Sequence, residues 1–210
     1  MIWLIAHGVA VADLDWLSKG GIVAYLYLGA KHMVTGYDHL AFLVGVIFFL
    51  YRLRDVGAYV TLFALGHSVT LLAGVLANIH VNAFLIDAII GLSVVYKALD
   101  NLSAFQLLGW RPDPKAAVLV FGFFHGFGLA TKLQEFAQAQ QHIVPKIIAF
   151  NVGVELGQLL ALSAILIAMG FWRRTQAFER QAFAANVVLM TCGFVLVGYQ
   201  LVGYVDQSRF

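Results

Sequence analysis

Six apolar runs, each near the length needed to cross a bilayer, dominate this sequence from Asp38 onward. They cover Asp38–Leu53, Val56–Leu76, Asn82–Asn101, Lys115–Leu133, Val144–Phe171 and Phe183–Val205, with short polar stretches between them. A helix that spans the hydrocarbon core takes about 20 mostly apolar residues, and it satisfies its own backbone where there is no water. The sequence therefore predicts an all-α, polytopic transmembrane helical bundle. Composition agrees, since 61% of the 210 residues are hydrophobic and 11% are charged, against about 25% charged in soluble domains. Too little polar surface remains to face water. A net charge of +2 carries no nucleic-acid footprint, and a single cysteine, Cys192, excludes an internal disulfide and a multi-cysteine metal centre.

Basic residues sort by connection, which sets the expected orientation. Arg52 and Arg54 follow the first run, Lys97, Arg111 and Lys115 surround the third connection, and Arg173, Arg174 and Arg180 follow the fifth run. Ala77–Val81 carries no Lys or Arg, while Lys132 and Lys146 flank the glutamine-rich stretch Gln134–Gln141. The basic loops are expected to be cytoplasmic, with the C-terminal Asp206–Phe210 outside. Six spans also leave the N-terminal region outside, where Gly20–Val34 forms an amphipathic helix at the outer surface. If that helix crosses instead, there are seven spans and Met1–Lys19 is cytoplasmic. Its short apolar run, interrupted at Lys31–His32, favours six. The expected division is an N-terminal segment, residues 1–34, and a bundle, residues 35–210. Met1–Ala12 is apolar and ends in Ala-Val-Ala, but without a basic start it is expected to be retained.

Ionisable side chains inside a bilayer cost several kcal/mol unless paired, so they face the bundle interior and mark function. Here they are His32, Asp38, His39, His67, Asp87, His125 and Glu155. On the expected topology each falls in the outer half or near the middle of its span, so different helices deliver nitrogen and oxygen donors to a similar depth. Gly36 offers a bend between His32 and His39 that brings both to one ion. Asp38 either ligates or holds an imidazole by its other nitrogen. His125 lies in a glycine-rich stretch whose Gly122 and Gly126 form a small-xxx-small pair, suited to close helix approach. Asn151, Glu155 and Gln158 share one helical stripe. Taken singly, His67 fits a helix–helix hydrogen bond and Asp38 a helix cap. Together they point to a metal or proton site. Imidazole and carboxylate suit a divalent transition ion such as nickel, cobalt, zinc or copper. Lys97 and Asp100 read as a structural pair at a cytoplasmic helix end, and His7, His80 and His142 as surface residues.

Motif order adds a resemblance. His32–Leu40, Gly66-His67-Ser68, Ile86–Ser93, Tyr96–Leu102, Phe121–Ala130 and Phe150–Leu159 together resemble the HupE/UreJ family of bacterial membrane proteins. That resemblance implies a small helical protein of the bacterial inner membrane, with a branch associated with nickel or cobalt uptake. It ties metal to the His-x5-Asp-His motif, here His32, Asp38 and His39, and to Phe124-His125-Gly126. The nickel permeases continue with a second histidine and an acidic residue, where this chain has Phe127-Gly128-Leu129. Glu155 is then the candidate for the missing carboxylate, and the chain falls in a sister branch. The expected metal residues are thus His32, Asp38, His39, His67, His125 and Glu155. The leading expectation is a transition-metal permease or metal-handling protein, not an enzyme. The alternatives are an intramembrane metal-dependent hydrolase or transferase, and an accessory subunit of a larger membrane complex. Membrane lipids and the ion are the expected partners, with a homo-oligomer possible.

Overall fold

Each long helix starts and stops where the local chemistry changes. In a computed structural model, residues 20–110, 112–137 and 143–207 are described. The expectations for Met1–Lys19, His7, Arg111, His142 and residues 208–210 lie outside them. In chain order the helices are α1 (Gly21–Thr35), α2 (Tyr37–Ile47), α3 (Leu53–Leu76) and α4 (Ala83–Asn101). After them come α5 (Ala104–Leu107), α6 (Pro114–Ala137), α7 (Ile143–Arg173) and α8 (Ala177–Gln207). Asn82 caps α4 by accepting the Leu85 N–H at 3.2 Å. Pro114 opens α6 at the position that lacks a helical partner anyway. The all-helical fold expected from the sequence is what the described residues form. Among the described residues, four stretches are long and apolar enough to cross a membrane: Leu53–Leu76, Pro114–Thr131, Ile143–Arg173 and Ala177–Gln207. The exposed Phe183, Val188, Phe194, Val195 and Val202 give α8 an apolar outer face suited to lipid.

The N-terminal region departs from expectation. The first apolar run ends as a helix at Ile47, so α2 has only 11 residues. Nor is α1 set apart at a surface: it packs lengthwise along α7. The physical reason lies in the glycines of α7. A Cβ at Gly153 would strike the Leu26 carbonyl, and one at Gly157 would lie 2.9 Å from Ala30 Cα, so these backbones approach closely. Only residues without a side chain permit this spacing.

Register at such contacts fixes helix directions. Along α1 and α7, Leu26 meets Gly153 and Ala30 meets Gly157, so these two helices run parallel. Along α3 and α6, Phe63 meets Gly122, His67 meets Gly126 and Gly74 meets Ala130, again parallel. By contrast α4 and α8 are antiparallel, since Gly91 meets Val197 and Val95 meets Gly193. Short α2 sits among α1, α4, α7 and α8, and most of its residues are buried.

Where α2 ends, its last carbonyls would be orphaned. Arg173 meets them: its guanidinium donates to the carbonyls of Leu50 at 2.9 Å and Phe48 at 2.7 Å, and also to Ile47. This bond brings the end of α7 to the end of α2, so the sequence-identified basic residues Arg52, Arg54, Arg173 and Arg174 gather at one end of the bundle. Arg173→Ala is expected to cost about 1–3 kcal/mol, because buried acceptors lose a charged donor. The check is a lower midpoint of thermal unfolding in detergent, with faster proteolysis at residues 48–52.

Candidate metal centre

His39 stands at the centre of four histidines from four helices. It opens α2, and its ring centroid lies 4.9 Å from that of His32 at the end of α1. The corresponding distances are 6.1 Å to His67 of α3 and 4.7 Å to His125 of α6. All four are at most 2% exposed. The break at Gly36 makes the first of these contacts possible. A Cβ there would sit 3.0 Å from His39 Nδ1 and 3.1 Å from Asp38 Oδ1, so the residue must be small for the pair to fold against it.

By helical rise, His67 lies about 21 Å from the start of α3 and His125 about 17 Å from the start of α6. Ser93 lies about 15 Å from the opposite end of α4 by the same measure. The cluster is therefore near the middle of these helices.

Hydrogen bonds orient the rings. Asp38 Oδ1 accepts the His39 backbone N–H and lies 2.9 Å from His39 Nδ1. With Nδ1–H donating to that carboxylate, Nε2 carries the lone pair, and it has no hydrogen-bond partner among the described residues. Metal-ligating histidines are commonly held by a carboxylate in the same way. The Ser93 hydroxyl donates to the Ile90 carbonyl at 2.6 Å and lies 3.3 Å from His125 Nε2. Since the hydroxyl proton is committed to Ile90, Nε2–H of His125 donates to Ser93 and the lone pair sits on Nδ1. Neither ring nitrogen of His67 has a hydrogen-bond partner among the described residues. Buried polar nitrogens of this kind call for an explanation, and a bound ion is one.

A magnitude tests the fit. An imidazole nitrogen about 2.0–2.1 Å from a zinc-like ion places tetrahedrally arranged ring centroids about 5 Å apart. The His32–His39 and His39–His125 separations match that spacing, while His39–His67 is wider. The rings meet edge to face, however, and among the described residues no three His, Cys, Asp or Glu side chains converge on one point as ligands. Side-chain rotation would have to accompany binding. Phe63 stacks on His67 and packs against His39 and His125, and Phe42 packs against His125. This aromatic wall keeps water from the rings and strengthens any charge interaction within.

The structure thus brings together His32, Asp38, His39, His67 and His125, and it adds Ser93. It does not bring in Glu155. That residue is exposed and lies 3.4 Å from the Ser68 hydroxyl. With Gln158 and Thr61 it lines a lateral crevice of about 370 Å³ between α3 and α7. Asp87 is buried and borders Gly128, one turn along α6 from His125. Lys97 and Asp100 pair at 2.6 Å as their spacing suggested, but Lys97 is 4% exposed, more buried than a helix-end pair requires. Ser93 carried no warning in the sequence, because a hydroxyl is tolerated at little cost in a helix.

Fold and site together define a helical membrane protein with a buried histidine cluster held by a carboxylate. The chain belongs to the HupE / UreJ protein family, whose sequence pattern matches residues 11–208. No curated protein and no solved structure matches it.

Proposed function

We propose that this protein conducts a divalent transition-metal ion across the bacterial inner membrane through the His32–Asp38–His39–His67–His125 cluster. The observation that carries this reading is His39: a buried imidazole, fixed by Asp38 at 2.9 Å, whose ring lies 4.7–6.1 Å from the rings of three further histidines. The ion is cargo, so a cluster that binds and then releases by rotating its rings suits the task better than a rigid cage. Nickel and cobalt are the ions of the uptake branch, from which this chain departs at Phe127-Gly128-Leu129, and zinc and copper share the same donor preference. Hydrolysis fits less well, because Glu155, the obvious base, lies in a separate crevice.

The same reading gives six crossings. α1 and α2 together form one helix broken at Gly36, and α3, α4, α6, α7 and α8 supply the other five. The parallel α1–α7 and α3–α6 pairs and the antiparallel α4–α8 pair agree with strict alternation. Basic residues at the shared end support a cytoplasmic position for that end, with the end of α8 outside.

Elemental analysis of purified protein tests the site, and ion accumulation in proteoliposomes tests the conduction. Wild type should hold about one ion per chain. Asp38→Asn, which keeps the side chain's volume, should weaken binding by roughly 10–100-fold. Binding without accumulation would sink transport, and no stoichiometric ion in the wild type would sink the site.

A further inference from the structure

Below the histidines, toward the basic end, α4 carries Ser93, Lys97 and Asp100 at i, i+4 and i+7, one stripe of one helix. Ser93 touches His125. Lys97 Nζ then lies 2.6 Å from Asp100 Oδ2, with the lysine side chain 5% exposed and the aspartate 25% exposed. These two groups border a cavity of about 240 Å³, to which Tyr59, Asn101 and Ser103 add polar side chains. The lysine stem lies along α2 at Gly45, where a Cβ would come within 3.1 Å of Lys97 Cβ. Asn101 Nδ2 ties the same point by donating to the Gly45 carbonyl and to Asn186 Oδ1, both at 2.9 Å. The helix that carries His39 is therefore locked to the helix that carries Lys97.

An ion pair kept only for helix stability needs no burial, and an i,i+3 pair contributes a few tenths of a kcal/mol. Burying an ammonium is costly unless its charge is used. A fixed positive charge in a narrow path repels a cation that approaches from the site above. Asp100 offers the oxygen ligand such a cation would next require.

We propose that Lys97 is a tethered counter-cation that closes the basic-end vestibule, and that Asp100 passes from its ammonium to a divalent metal ion leaving the histidine cluster. The vestibule is thus a second, transient cation site. This rests on the transport reading above.

The test is a single-cysteine protein, Val46→Cys with Cys192→Ser, because Val46 lines the vestibule and Cys192 is the native thiol. A membrane-impermeant cationic thiol reagent is applied from each face of sealed vesicles. With Lys97 present, Cys labelling should be slow. Lys97→Met, which keeps the stem, should speed it by on the order of 10-fold, the equivalent of losing one charged hydrogen bond. Lys97→Gln, which also removes the charge, should do the same and covers the case that Lys97→Met misfolds, whereas Asp100→Asn, which keeps the ammonium and removes its counter-charge, should leave labelling slow. In proteoliposomes loaded with nickel or cobalt ions, the two lysine variants should leak faster while holding the wild-type amount of ion at the histidines, and Asp100→Asn, which has lost the departing ion's oxygen ligand, should leak no faster than wild type. Unchanged labelling in both lysine variants overturns the proposal, as does faster labelling without faster leak, or labelling of Asp100→Asn as fast as that of the lysine variants. Absence of bound ion in the wild type overturns the transport reading instead, whatever the labelling shows.

Discussion

His39→Ala is expected to abolish stoichiometric metal binding, with a larger loss than removal of any other single histidine of the cluster. The reason is geometric. His39 is the ring within 4.9 Å of His32, 4.7 Å of His125 and 6.1 Å of His67, so every pairing described for the cluster passes through it. Its removal also takes from the Asp38 carboxylate the imidazole that lies 2.9 Å away and leaves a cavity beside it. The drop should exceed the roughly 10–100-fold that an outer hydrogen-bonding partner is worth. Titration of purified variants with nickel, cobalt and zinc ions measures this directly. His67→Ala is the informative comparison, because its longer distance predicts a milder loss. Equal affinity of His39→Ala and wild type would remove the cluster from consideration as a metal centre. Folding must be read alongside, and the midpoint of thermal unfolding without metal serves as the control.

The second large effect is steric. Gly153→Leu is expected to prevent α1 from docking on α7, since even a Cβ at this position would run into the Leu26 carbonyl. Gly153→Ala is the graded version, with a cost of about 1–3 kcal/mol for overpacking a tight contact. At this chain length that corresponds to a fall of about 3–10 °C in the unfolding midpoint. Gly170→Leu, on the same helix, should be silent, because nothing lies within 4 Å of a Cβ there. His32 rides on α1, so Gly153→Leu should also lose bound metal while every ligand remains in the sequence. Near-native stability for Gly153→Leu would show that α1 is not held against α7.

Much of the candidate site could be read without coordinates, and the reason is energetic. His32, Asp38, His39, His67 and His125 stand out because ionisable groups are costly in an apolar run, whatever the fold around them. Glu155 raises the same alarm for the same reason, yet the stripe it shares with Gln158 says only that one face is polar. It does not say which neighbour that face meets, and the neighbour is a lateral crevice with Ser68. Ser93 was silent because a hydroxyl carries no such cost. Lys97 and Asp100 were visible but looked terminal, since sequence position along a helix does not reveal that α2 covers the lysine stem at Gly45. Helix content followed from the apolar runs, whereas α2 proved shorter because Arg173, far along the chain, satisfies the carbonyls left by its early end.

The parallel pairing of α1 with α7 has a consequence for biogenesis. Its contacts join residues near Gly29 to residues near Gly153, about 120 positions later in the chain. The first described helix therefore lacks this partner while short α2 and the three long helices α3, α4 and α6 emerge from the ribosome and enter the bilayer. His32, on α1, is held in place only once α7 arrives, whereas His39 rides on α2, which also packs on α4. Until synthesis is nearly complete, the cell carries the ligands of this centre but not the centre itself, so a chain truncated before α7 should be inserted and yet unable to retain metal.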